Sequence, residues 1–163
     1  MEIETVDAGD LARVRKLVRR TEDKFGTIDV LHFNSASMRN ATIETQAPET
    51  FVTDLTINIG AALVATQEAS RGMLARGSGT ILLTGGILVL TPNPDYLSLS
   101  IGKAGLRAMA LGLFKPFKER DVHIATVTGG TGRSRLSGNP GHSGHVLGPA
   151  YRTKRVLVSR SDL

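Results

Sequence analysis

Apolar residues recur along the chain in two spacings. Leu11, Val14, Leu17 and Val18 fall three to four apart, the period of one helical face. Asp10 precedes them as an N-cap and Gly26 follows Phe25 as a C-cap glycine, so a helix is predicted between the two. Phe51, Leu55, Ile59, Ala62 and Ala65 repeat the pattern after Pro48, and that helix is predicted to end near Arg76-Gly77-Ser78-Gly79. A third helix starts after Pro94 and Asp95 and runs through Arg107. It is predicted to break or kink near Pro116, because proline removes a backbone donor. Between the helices lie short apolar runs that read as strands: Glu2 to Val6 (EIETV), Ile28 to Phe33 (IDVLHF), Thr80 to Thr84 (TILLT) and His123 to Thr128 (HIATVT).

Strand and helix alternate, which argues for an α/β fold: a parallel sheet with helices on both faces. Ligands of such sheets bind beyond the carboxyl ends of the strands. Those ends carry Asp7, Asn34 to Ser37, Thr84 to Gly86, and Thr128 to Gly130, all small or polar. The stretch from Thr80 to Arg107 is the frame of a site, because it places one lysine, Lys103, on a crowded helix after a strand and a loop. Beyond Gly129 the period fails, and no apolar cluster returns until Val156-Leu157-Val158.

Charge sharpens the division of the chain. Of the net +5, all lies in residues 131–163, where Arg133, Arg135, Arg152, Lys154, Arg155 and Arg160 face Asp162 alone. The 14 basic and 14 acidic residues before them cancel. A basic tail can bind nucleic acid or acidic lipid. The preferred reading is a solvated, irregular basic tail over 129–163, because no aromatic stacking pattern accompanies the charge. There is no cysteine, hence no disulfide framework and no thiolate metal site. The N-terminus has no apolar signal core and no apolar run reads as a membrane span, so the expected compartment is the cytoplasm.

Several weak motifs, in order, resemble the short-chain dehydrogenases/reductases. They are Gly26-Thr27-Ile28-Asp29-Val30-Leu31, the Asn34-Ser35-Ala36 turn, Asn58-Ile59-Gly60, Ser100-Ile101-Gly102-Lys103-Ala104-Gly105-Leu106, and His123-Ile124-Ala125-Thr126-Val127. The similarity covers residues 1 to about 128. It implies a Rossmann-like oxidoreductase domain that uses NAD or NADP. It also implies catalysis by a serine, a tyrosine, a lysine four residues after the tyrosine, and an asparagine on the preceding long helix. The lysine falls at Lys103 and the asparagine at Asn58. The tyrosine position is Leu99 and the serine position is about Gly86, neither of which can donate a proton.

Substitutes for the missing hydroxyls are Tyr96 and Thr84. Tyr96 and Lys103 are seven apart and share a face if both are helical, with a rise of about 10 Å. The alternatives are a packing role for Tyr96, a backbone hydrogen bond for Asn58, and a surface lysine at 103. Asp7, Asn34, Ser35 and Ala36 match positions that line the adenine and ribose side of the cofactor, with Ser35 in place of a second asparagine. Lys103 would contact the nicotinamide ribose.

The family's glycine-rich turn between first strand and first helix, which holds pyrophosphate on backbone N–H groups, has no counterpart here. The chain corresponds to the family from its third strand onward. The strand at Ile28 to Phe33 is therefore expected to form an exposed edge. Two functional readings follow. One is an NAD(P)-linked oxidoreductase of the short-chain type, altered at its site. The other is a non-catalytic subunit that self-associates through helices near 48–73 and 95–115, which commonly form the family's dimer interface. The abrupt shift at Gly129 reads as family sequence in another frame. Residues 145–162 can be encoded so that a one-base shift resembles the later helix and loop of divergent members. A genuine basic tail is the alternative.

Overall fold

The computed structural model describes residues 3–128 and the backbone of Arg155–Val158. The first helix, α1 (Leu11–Phe25), begins where the Asp10 carboxylate accepts the Arg13 N–H at 3.0 Å. Such a cap contributes about 1 kcal/mol. Gly26 closes the helix through its N–H to the Glu22 carbonyl at 2.8 Å. Val14, Leu17 and Val18 are its buried stripe, as their spacing predicts.

Strand β1 (Val30–Phe33) follows, then helix α2 (Pro48–Leu55), which starts with proline in its first turn. The long helix predicted after Pro48 is interrupted by one wide π turn, Thr56–Gly60, before α3 (Ala61–Arg76) completes it. Gly77, in the left-handed region at φ 65°, ends α3 where the sequence places its stop. Strand β2 (Gly79–Thr84), helix α4 (Leu97–Lys118) and strand β3 (Val122–Val127) complete the described body. Pro116 does not break α4; it sits in the last turn, where little of the hydrogen-bond ladder remains to be lost.

The sheet is parallel, in the order β3-β2-β1-β4, with β4 at Arg155–Val158. Leu31 stands opposite Ile81 and Ile81 opposite Ile124, while Phe33 stands opposite Leu83. All of these side chains are buried and join one core with Val14, Val18, Ala61, Ala65, Ala69, Met73, Leu106 and Ala110. The core-forming helices therefore lie on one face of the sheet. Steps from β1 to β2 to β3 run in one direction, and right-handed crossovers then keep their helices on the same side. The opposite face, with Val30, His32, Thr80, Leu82, Thr84 and Ala125, is only half-buried. The parallel sheet with its helices is the Rossmann-like arrangement that the alternation and the resemblance predict, and among the described residues the helices cover one face.

Two further expectations change. Residues 3–7 form no strand, and Ile3 is 79% exposed. A strand needs a neighbour for its backbone groups, and in this fold that stretch has none. The edge of β1 is not open: β4 pairs along it from Val30 opposite Arg155 to Phe33 opposite Val158. The segment expected to be irregular thus contains one strand, and an unpaired edge supplies the reason. The other residues of 129–163, including most of the frame-shift reading, lie outside the described ones. α4 is also long and apolar enough to cross a membrane by length and composition. Yet Leu106, Ala110 and Phe117 are built into the core, which makes α4 a core helix.

α1 is fastened to α3 by charge as well as packing. Glu68, 3% exposed, accepts hydrogen bonds from Arg15 (3.1 Å), Arg19 (2.8 Å) and Arg71 (3.2 Å). Burial alone would raise the Glu68 carboxyl; the arginines outweigh it and hold it below the usual value.

Candidate functional site

Because β1, β2 and β3 are parallel, their carboxyl ends meet at one end of the sheet: Phe33, Thr84 and Val127. The residues just beyond them are the candidate site. Ser35, after β1, is 1% exposed and its Oγ has no hydrogen-bond partner; Thr128, after β3, is 8% exposed with Oγ1 likewise unpartnered. Gly86, after β2, has φ 65°, and a Cβ there would meet nothing within 4 Å. The position that the resemblance gives to serine is thus held by a glycine in the left-handed region.

Lys103 reaches this end from α4. Its Nζ donates to the Thr84 carbonyl oxygen at 2.7 Å, and the residue is 6% exposed. Burial, with no opposing anion, lowers its amine from 10.5 to about 8. The surface-lysine alternative is excluded by that burial. Thr84 Oγ1 lies 2.9 Å from His32 Nε2, so the hydroxyl proposed as a serine substitute already has an imidazole partner.

Asn58 occupies the π turn and is fully buried. Its Oδ1 accepts the Ser37 N–H at 2.6 Å and its Nδ2 donates to the Ser37 carbonyl at 3.3 Å. This is the backbone role that the sequence left open for it, and it fixes the Asn34–Ser37 turn above β1. α4 comes very close here: a Cβ on Gly102 would sit 2.5 Å from Asn58 Cβ. Only glycine lets the lysine-bearing helix approach so near.

Tyr96 departs from the expected geometry. It is the residue before α4, at φ −129° and ψ 53°, so it does not share a helical face with Lys103. The backbone around it is bound to the preceding loop, with the Ala41 N–H donating to Asp95 and the Leu97 N–H to Ala41. Proline at 94 and that loop pairing start the helix later than the sequence suggests. Leu99, in the tyrosine position, is buried. Asn34 is exposed and Ala36 half-buried in the turn that Asn58 holds. Asp7 stands apart: its Oδ1 accepts the Gly9 N–H at 2.8 Å, and no described contact joins it to Thr84, Asn58 or Lys103.

Sequence reasoning missed Asp54. It is fully buried and accepts from Ser37 Oγ (2.6 Å), Ser98 Oγ (2.9 Å) and Arg39 Nε (2.9 Å). Burial would raise its carboxyl, but the hydrogen bonds from Arg39, Ser37 and Ser98 bring it below the ordinary value. Asp54 thus ties the β1 turn to the start of α4. Its position three residues after Phe51 and four before Asn58, on the predicted buried face, was the available signal. His32 carried no comparable signal, being one polar residue in an apolar run.

Comparison with known proteins gives this arrangement a family. Residues 2–141 match the family described as short chain dehydrogenase. The match extends past Thr128, where the sequence resemblance ended. An uncharacterized oxidoreductase of Staphylococcus saprophyticus is 26% identical over 139 residues, which is 85% of this chain and 59% of that protein. The NADPH-dependent aldehyde reductase 2 of Arabidopsis thaliana is 28% identical, over 76% of this chain and 47% of its own. Among solved structures, a short-chain dehydrogenase from Streptomyces avermitilis superposes with a TM-score of 0.76 at 20% identity, covering 85% of this chain and 51% of that one. A gluconate 5-dehydrogenase from Burkholderia cenocepacia, in complex with NADP and tartrate, gives 0.71 at 21% identity, over 76% and 48%. The chain belongs to the short-chain dehydrogenase family. It spans about half the length of the relatives it matches.

Proposed function

We propose that this chain carries the strand-end half of an NAD(P)-linked oxidoreductase site, of the kind that interconverts a carbonyl and an alcohol. The observation that supports the reading best is Lys103, buried beyond β2 and bonded to Thr84. The unpartnered hydroxyls of Ser35 and Thr128 fit the ribose end of a dinucleotide, as polar groups awaiting a ligand. The pyrophosphate end is different: among the described residues no glycine-rich turn leads from a strand into a helix. A bound nicotinamide would give or accept a hydride at this place. Lys103 would hold its ribose side and stabilise negative charge on a nearby hydroxyl. Tyr96 is the proposed proton donor, with Thr84 as the substitute for the serine. Asn58 acts by fixing the Ser37 turn, while Asp7, Asn34, Ser35 and Ala36 belong to the adenine and ribose side. The proposal includes a cytoplasmic setting, where nicotinamide dinucleotides are plentiful.

A second reading is a non-catalytic subunit that pairs with another copy of itself. It is favoured by exposed apolar residues on the outer faces of α4, α3 and α2: Ile101, Leu111, Phe114, Leu63 and Val52. Fluorescence titration with NADPH, alongside sedimentation, separates the two. Without a pyrophosphate cradle, this chain alone should not saturate below about 1 mM. Protection of Lys103 from acylation by millimolar NADPH would support the site. Self-association with no protection at any concentration would favour the second reading, and saturable micromolar binding would contradict the expected weakness.

A further inference from the structure

We propose that the outer face of α1 binds the sugar–phosphate backbone of a nucleic acid strand, without regard to base sequence. This interaction is separate from the strand-end site and needs no dinucleotide. The overall neutrality of the residues before 131 conceals a local excess of charge. From Arg13 to Arg20, α1 carries five basic residues in eight positions and no acidic one.

Two rows of cations flank a trough on this face. Arg15 and Arg19, one turn apart, lean toward α3, where both donate through Nε to the buried Glu68 carboxylate that Arg71 also meets. Arg20 leans the other way, to Glu4 at 2.9 Å, and Lys16 stands one turn before it. Ala12, exposed and small, leaves the space between the rows open. The resulting trough has a volume of about 370 Å³, and its lining holds four cations against one carboxylate, Asp23. A second hollow of about 320 Å³ adjoins it and shares Lys16 and Arg20.

Ion pairing holds the trough in shape without neutralising it. Three guanidiniums surround the single charge of Glu68. The described bonds of Arg15 and Arg19 engage Nε alone, which leaves their terminal N–H groups for another acceptor, and the two side chains are 46% and 54% exposed. Lys16 forms no ion pair among the described residues. Guanidinium groups match phosphate oxygens in charge and in donor geometry. Cations at i and i+4 advance about 6 Å along the helix, so a trough between two such rows fits a line of phosphates. A lipid surface fits less well, because the apolar stripe of α1, Val14, Leu17 and Val18, is spent on the core and leaves no apolar face to enter a bilayer. No aromatic residue lines the trough, so bases find no stacking platform and the backbone alone is held. The net +5 of the chain adds attraction at long range.

The test uses the whole chain and the fluorescence anisotropy of two labelled single-stranded oligonucleotides of unrelated sequence, each of roughly 20 nucleotides, at about 50 mM salt. Vesicles of phosphatidylserine and phosphatidylcholine are the parallel probe. Ala12→Glu puts a carboxylate on the floor of the trough and leaves every described ion pair intact. Ala108→Glu, on an exposed position of α4, makes the same change of charge away from it. Both oligonucleotides should bind alike. Ala12→Glu should weaken them at least roughly tenfold, as a like charge placed against the ligand does, and Ala108→Glu less than about twofold. Lys16→Gln should reduce the slope of log K against log salt by about 0.7, the share of one phosphate contact. That slope decides the matter if the urea midpoint shows Ala12→Glu to be unfolded. A loss in Ala12→Glu no greater than in Ala108→Glu would overturn the proposal, because net charge and the basic tail would then account for the binding. An unchanged salt slope in Lys16→Gln would do the same, as would binding to the vesicles without binding to the oligonucleotides, or binding to neither.

Discussion

Lys103 Nζ and the Thr84 carbonyl oxygen, 2.7 Å apart, join the second turn of α4 to the last residue of β2. The bond explains how a lysine can be buried at a sheet end: the ammonium gains the carbonyl of the strand's last residue in place of water. It also places a cationic donor where the three parallel strands end.

The approach of α4 to the π turn predicts opposite effects at two glycines of the same helix. Gly102→Ala puts a methyl group 2.5 Å from Asn58 Cβ. The helix must shift, and the cost of roughly 1–3 kcal/mol exceeds the gain of about 1 kcal/mol in helix propensity. Gly112→Ala meets nothing within 4 Å and should gain that propensity. Urea midpoints should therefore fall for the first variant and rise for the second.

Asp54 predicts an acid-dependent stability. Removal of its carboxylate in Asp54→Ala leaves Ser37 and Ser98 without their acceptor and Arg39 without its ion pair. The loss should be about 3 kcal/mol at neutral pH. The folded carboxyl lies below its ordinary 3.8. Its contribution is therefore complete above the unfolded value and disappears as pH falls through the folded one. The gap between wild type and Asp54→Asn in denaturant unfolding should be constant above about pH 5 and narrow below pH 4. A gap independent of pH would remove the carboxylate from the account.

Chemistry gives a third expectation. In any active longer form, Tyr96→Phe and Lys103→Met should each lower turnover by about a hundredfold or more, as loss of a general acid/base contribution does. An unchanged rate in Tyr96→Phe would exclude Tyr96 as the proton donor.

Different parts of the fold were legible in the sequence for different reasons. α1 could be read because cap, stripe and terminal glycine agree within one short stretch. Residues 2–6 have the composition of a strand, yet a strand depends on a neighbour, and composition says nothing of neighbours. β4 was hidden for the converse reason: only the free edge of β1 makes a strand of Arg155–Val158. Near the strand ends, Lys103 and Asn58 were singled out by the family resemblance. Their partners could not, since the Thr84 carbonyl and the Ser37 backbone carry no side-chain signature. Asp54 looked like any polar residue on a helix until the loop and α4 closed over it.

Stability should also follow the lysine. Between its folded value of about 8 and its ordinary 10.5, the unfolded chain holds more protons at Lys103 than the folded one. Stability should thus rise with pH across that window, relative to Lys103→Met, by at most roughly 3 kcal/mol.

The most direct measurement is an NMR titration of the Lys103 side chain, in protein carrying carbon-13 at the lysine Cε and assigned by Lys103→Met. The structure predicts that Lys103 titrates near 8, well below the ordinary lysine value of 10.5. Titration of Lys103 at that ordinary value would contradict the account, because the amine would then be solvated and not held at the end of β2.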